Sequence, residues 1–139
     1  MLDPIFIERT RNFYNASIDR ITSSQSLVIE GFSDVQDDLS DVKAKLEMAR
    51  PYFEALLSCE QLPELYLEGI PRFYSQTGEL MKDLWQAYDY LDFVAQFLSW
   101  SKEKISEEHS VFDTLGFLDY VVNQSQDAVV RALSKFDSN

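Results

Sequence analysis

The sequence predicts an all-α protein: an antiparallel four-helix bundle with coiled-coil-like packing, built from residues 1–139 as a single domain. Three observations carry this expectation. Apolar residues recur at alternating spacings of four and three, most plainly in "LVIEGFSDVQDDLSDVKAKLEMARPYF". There Val28, Phe32, Val35, Leu39, Val42, Leu46, Ala49 and Phe53 fall on one helical face. Glycine and proline number only four each and punctuate long stretches rather than pervade them. No segment alternates apolar and polar residues beside turn residues, so no sheet is expected.

The first helix is expected at about 4–30. Asp3 can cap it, and Pro4 suits the first helical position, where the missing N–H costs nothing. Ile7, Tyr14, Ile18, Ile21 and Val28 carry its apolar face. At Gly31 two signals conflict. A glycine suited to a left-handed C-cap, a capping box of Ser33 and Gln36, and first-turn Asp34 and Asp37 all say that one helix stops and another starts. The heptad phase nevertheless passes unbroken from Ile21 through Val28 and Val35 to Val42, and one glycine inside a helix costs only about 1 kcal/mol.

Length decides for the hairpin. An unbroken helix from Pro4 to Ser58 would be roughly 80 Å long, against about 40–55 Å for the helices that follow, at ~1.5 Å per residue. The uncovered apolar stripe would then need a second chain, which defines the alternative: one long N-terminal helix with two shorter ones, dimerising. The hairpin instead gives a second helix at about 34–58, in which Pro51 should produce a kink or a restart. "CEQLPELYLEGIPR" reads as a connector. The third helix is expected at about 71–105, with Phe73, Leu80, Leu84, Leu91, Val94 and Leu98 inward. The fourth is expected at about 110–137, with Val111, Leu115, Leu118, Val122, Val129, Ala132 and Phe136 inward.

Composition narrows function. A hydrophobic content of 45% supports a packed core, and the formal charge of −12 disfavours direct binding to nucleic acid or anionic membrane. A protein partner with a basic surface is the better expectation. The lone cysteine, Cys59, cannot form an internal disulfide and reads as a small, buried or half-buried apolar residue. The N-terminus has no basic segment followed by an apolar core, and charges interrupt every long apolar run, so a cytoplasmic protein is expected.

Catalysis is not expected, nor is a metal or cofactor. His109 is the only histidine, and Ser106 stands where a Glu-x-x-His di-iron site would need its glutamate. The context "EEHSVFDTLG" places His109 near a helix start with no cation beside it, unlike a phosphoacceptor. Glycine-rich phosphate loops are missing, and no carboxylate pair can be assigned opposed environments.

Two features suggest a contact surface. Asp34, Asp38 and Asp41 fall at i, i+4 and i+7, an acidic ridge that is either a solvated face, with Lys43 and Lys45 partly neutralising it, or a mimic of nucleic-acid phosphates. Aromatic residues reach 14% and crowd the third helix. Its leucines mark one face, while Tyr90, Phe93, Phe97 and Trp100 lie on another, either core or a partner interface. The leading expectation is a non-catalytic protein–protein interaction module, homo-oligomeric or one subunit of an assembly, using that aromatic face. The alternative is an acidic inhibitor that occupies the nucleic-acid groove of a basic protein.

Overall fold

A computed structural model describes residues 4–28, 30–59 and 77–137. It is an all-α bundle of four helices, α1 Pro4–Leu27, α2 Ser33–Leu57, α3 Leu80–Lys104 and α4 Phe112–Asp137. Helix α1 packs on α2 and α3, and α4 packs on the same two. Every adjacent pair is antiparallel. Phe6 lies opposite Phe97 and Phe13 opposite Tyr90 along α1 and α3, while Tyr52 lies opposite Phe117 and Lys45 opposite Gln124 along α2 and α4. The diagonal helices α2 and α3 therefore run parallel, and the ends joined by the connection, Leu57 and Leu80, lie at opposite ends of the bundle. This is the one-crossover arrangement of helix bundles rather than four successive hairpins.

The chain does fold back at Gly31, whose φ of +105° is the left-handed conformation that glycine adopts without a Cβ clash. The expected capping box does not form. Phe32 occupies the N-cap position, no side chain caps α2, and the Asp34 carboxylate accepts the Val35 N–H instead. Packing explains the substitution, because the Phe32 ring sits 4.9 Å from that of Phe136 and fixes where α2 begins. The heptad survives the turn because both helices face one core: Ile21, Val35 and Val42 are buried and Val28 packs on them. Pro51 neither ends nor restarts α2, which runs through it with the proline exposed. An exposed Pro51 leaves the carbonyl it frees within reach of water.

Helix α3 starts at Leu80 rather than near residue 71. Gly78 takes a φ of +72°, and the Thr77 hydroxyl accepts the Glu79 N–H while the Asp83 carboxylate accepts both the N–H and the hydroxyl of Thr77. These bonds give the backbone a non-helical alternative at the helix start. Residues 71–76, with Phe73, and the capping position Asp3 lie outside the described residues. Between α3 and α4, the Val111 N–H donates to Nδ1 of His109, and the His109 carbonyl accepts the Phe112 N–H. His109 is thus a half-buried turn residue just before α4. Cys59 is half-buried against the core.

Candidate functional site

The two contact surfaces anticipated from sequence meet different fates. Tyr90 and Phe97 are 1% and 2% exposed, in the seam between α3 and α1. Tyr90 tilts against Phe13 at 5.4 Å, and Phe97 lies 5.5 Å from Phe6 and edge-on to Phe53. Phe93 is half-buried, 4.9 Å from Phe13. Trp100 is half-buried with the Lys104 ammonium 5.9 Å from its ring. The assignment of this stripe as a partner interface is therefore corrected, since α1 covers Tyr90 and Phe97 from within the chain. The same helix α1 buries Thr10, Ser17 and Ser24, which recur every seven residues and return their hydroxyls to the carbonyls four residues back. Periodicity within α3 does not reveal that Phe6 and Phe13, distant in sequence, cover this stripe.

The acidic ridge does share one face of α2, and that face borders α4. Lys135 of α4 pairs with Asp34 and stands 4.0 Å from Asp38, while Lys45 lies 2.8 Å from Asp41 and within 3.5 Å of the Gln124 side-chain oxygen. The Lys135 hydrogen bond holds the Asp34 carboxyl below its ordinary range, with a smaller contribution from the Val35 N–H. Each of the three carboxylates thus has a lysine nearby, so the ridge is no uninterrupted line of negative charge.

The same ridge continues in a different chemistry. The positions after Asp34, Asp38 and Asp41 at the same spacing are Lys45, Met48 and Tyr52, and the latter two are 62% and 51% exposed. Across the seam, Phe117 and Tyr120 of α4 are 39% and 61% exposed. The rings of Tyr52 and Phe117 meet edge-on at 5.3 Å, and they wall a depression that Asp113 and Thr114 complete. Gln124 donates to the Tyr120 hydroxyl at 2.7 Å, joining the apolar cluster to the polar end of the seam. Met48, Tyr52, Phe117 and Tyr120 are the candidate site that sequence reading missed. The available signal was a methionine and a tyrosine on the helical line already marked by aspartates, where a solvated face should carry polar residues.

Opposite this face, a buried pair of ions joins α1 to α3. Arg20 and Asp83 lie 3.5 Å apart with side chains 6% and 0% exposed, and the second Asp83 oxygen has no hydrogen-bond partner among the described residues. Between α1 and α2, the buried Tyr14 hydroxyl donates to the Leu46 carbonyl at 2.7 Å, and its ring stacks on Phe53 at 4.4 Å. Burial raises the Tyr14 phenol well above its ordinary range, against an opposing pull from Arg50. Among the described residues no cluster of three or more His, Cys, Asp or Glu could hold a metal ion, and no helix is long and apolar enough to cross a membrane.

Fold and surface together define a four-helix bundle with one mixed apolar and charged face. The chain matches no protein-family model, no curated protein and no solved structure.

Proposed function

We propose that this chain is a non-catalytic protein–protein interaction module that presents the α2–α4 face to another protein, in a cytoplasmic setting. The observation that carries the reading is the exposure of Met48, Tyr52, Phe117 and Tyr120 side by side in a bundle whose other aromatics largely pack inward. Scattered single apolar residues on a surface are ordinary, but a contiguous group that includes three aromatics is the composition found at the centre of protein interfaces. The non-catalytic part of the reading is supported by the only histidine, His109, being engaged in the α3–α4 turn. The single cysteine supports the cytoplasmic part.

A photo-crosslinking residue at position 120, compared with one at Asp89 on a different helix, tests the reading in the cells of origin. Crosslinks to another protein or to a second copy at position 120 alone are expected. Equal yields at the two positions would remove the α2–α4 face from consideration. The phosphate-mimic alternative, centred on Asp34, Asp38 and Asp41, is less favoured because Lys135 and Lys45 already answer that ridge. It requires binding that weakens steeply with salt and disappears when the three are replaced by Asn.

A further inference from the structure

The depression between Tyr52 and Phe117 is also lined by two polar residues, Asp113 and Thr114. Two aromatic rings with an aspartate among the same lining residues suit a lysine or arginine, whose aliphatic stem can lie on apolar surface while its cationic head is drawn to rings and carboxylate. Asp113 has no ion-pair partner among the described residues. A neutral or anionic side chain placed there would strip water from that carboxylate without replacing it.

Next to the depression, Met48 and Tyr52 stand one turn apart on α2, and Phe117 and Tyr120 stand three residues apart on α4. Together they make an apolar floor in the seam about 6 Å long, which matches two apolar residues four apart on a docked helix. We infer that the α2–α4 face receives a basic amphipathic helix of a partner protein, with a Lys or Arg of that helix seated between Tyr52 and Phe117 and paired with Asp113. This rests on the interaction-module reading and names its partner chemistry.

Area and charge disfavour a second copy of this chain as the occupant. At ~200 Å² for each fully open side chain, the four exposed residues offer roughly 400 Å², about half of what each partner gives to a standard interface. A dimer would have to recruit the surroundings, where Glu47 is exposed beside Met48 and where Asp41 and Asp127 lie further along the seam with Lys45 and Arg131. It would also bring together two chains of formal charge −12. A cationic helix is attracted instead by the formal charge of −12 and, beside the aromatic cluster, by Asp113 and Glu47, whereas Lys45 and Arg131 make the far end of the seam neutral toward it.

Fluorescence anisotropy with a synthetic amphipathic peptide of about 18 residues, long enough to hold helix, tests the proposal. One version carries a leucine stripe flanked by Lys and Arg, and a matched version carries Glu flanks. The basic peptide should bind the wild-type chain about tenfold or more tightly than it binds Tyr120→Ser or Phe117→Ala. Asp113→Asn should weaken binding about three- to tenfold and flatten its salt dependence. Trp85→Ser, which removes an exposed aromatic from α3, should leave affinity unchanged, and thermal melts of each variant confirm that the bundle remains folded. Equal affinity for the Glu-flanked peptide, or equal losses in Trp85→Ser and Tyr120→Ser, would overturn the proposal. A light-scattering mass of two chains that reverts to one in Tyr120→Ser would also overturn it, while leaving the interaction module standing with a second copy as partner. A single-chain mass with no peptide binding would remove both.

Discussion

Two seams of this bundle are built from similar residue types and end up as opposites. Along α1–α3, Phe6, Phe13, Tyr90 and Phe97 are buried and the ion pair Arg20–Asp83 is sealed from water. Along α2–α4, Tyr52, Phe117 and Tyr120 stand in solvent, and the ion pairs of Asp34 and Asp41 are accessible. The difference lies in what stands opposite each large side chain. Helix α1 sets Phe6 and Phe13 against Phe97, Tyr90 and Phe93 and so covers these rings from within the chain. Helices α2 and α4 pair Lys135 with Asp34 at one end of their seam and leave Tyr52, Phe117 and Tyr120 partly exposed toward the other. One seam is closed into the core, and the other is partly open to solvent.

The same truncation on both seams tests this contrast most strongly. Phe97→Ala should cost about 3–5 kcal/mol by removing a buried ring and leaving a cavity, whereas Phe117→Ala should cost under ~1 kcal/mol, as for a partly solvated side chain away from the core. Chemical denaturation followed by circular dichroism reads both. Comparable losses would show that the α2–α4 seam is as much a part of the core as its counterpart. Phe97→Asp should abolish cooperative melting altogether, because it buries a carboxylate with no partner.

The buried ion pair gives the next effect. Arg20→Ala should destabilise the bundle by about 3–5 kcal/mol, since Asp83 would stay buried with only Thr77 to satisfy it. Replacing both ions, as in Arg20→Met with Asp83→Leu, should recover most of that loss, because the desolvation of both charges is avoided. If the double variant is no better than Arg20→Ala, the pair is contributing more than it costs in its buried setting.

Tyr14 sharpens the contrast by pH. Its phenol is raised by burial, so the neutral form is the one the fold accommodates. The stability this provides is fully present below the unfolded phenol's pKa of about 10 and is lost as pH rises above it, because the unfolded chain ionises first. Tyr14→Phe should cost ~0.5–1.5 kcal/mol at neutral pH through the lost hydrogen bond to Leu46, and should shallow the alkaline decline measured by denaturation midpoints above about pH 10.

How much of this was legible in the sequence differs between fold and site for a physical reason. The helix count, the hairpin at Gly31 and the inward leucines follow from periodicity and local backbone chemistry, which act within a few residues. Even the heptad that ran through Gly31 had a simple cause, since two helices packing into one core can keep one phase. The start of α3 was misjudged because apolar periodicity continues upstream of Gly78, where the backbone bonds of Thr77 with Asp83 and Glu79 take over. Whether Phe97 or Tyr120 faces water depends on a partner helix tens of residues away. Phe6 and Phe13 on α1 were a readable clue to the first, and Met48 and Tyr52 on an aspartate ridge to the second.

The smallest effect expected concerns Asp34, and it separates a pairing that shapes the open seam from one that merely decorates it. Its carboxyl is held below the ordinary range chiefly by the hydrogen bond from Lys135. A depressed carboxyl contributes stability that is present above the unfolded pKa and is lost as pH falls through the folded one. Lys135→Met should therefore remove a small contribution at neutral pH and make the acid limb of the stability curve less steep below about pH 4, the unfolded aspartate range. Because both side chains are accessible to solvent, added salt should erase much of the difference between wild type and variant. A deficit in Lys135→Met that persists at about 1 M salt, where screening reaches only ~3 Å, would instead implicate the packing of the Lys135 stem against its neighbours. The polar end of the α2–α4 seam would then resemble the sealed seam more closely than its exposure suggests.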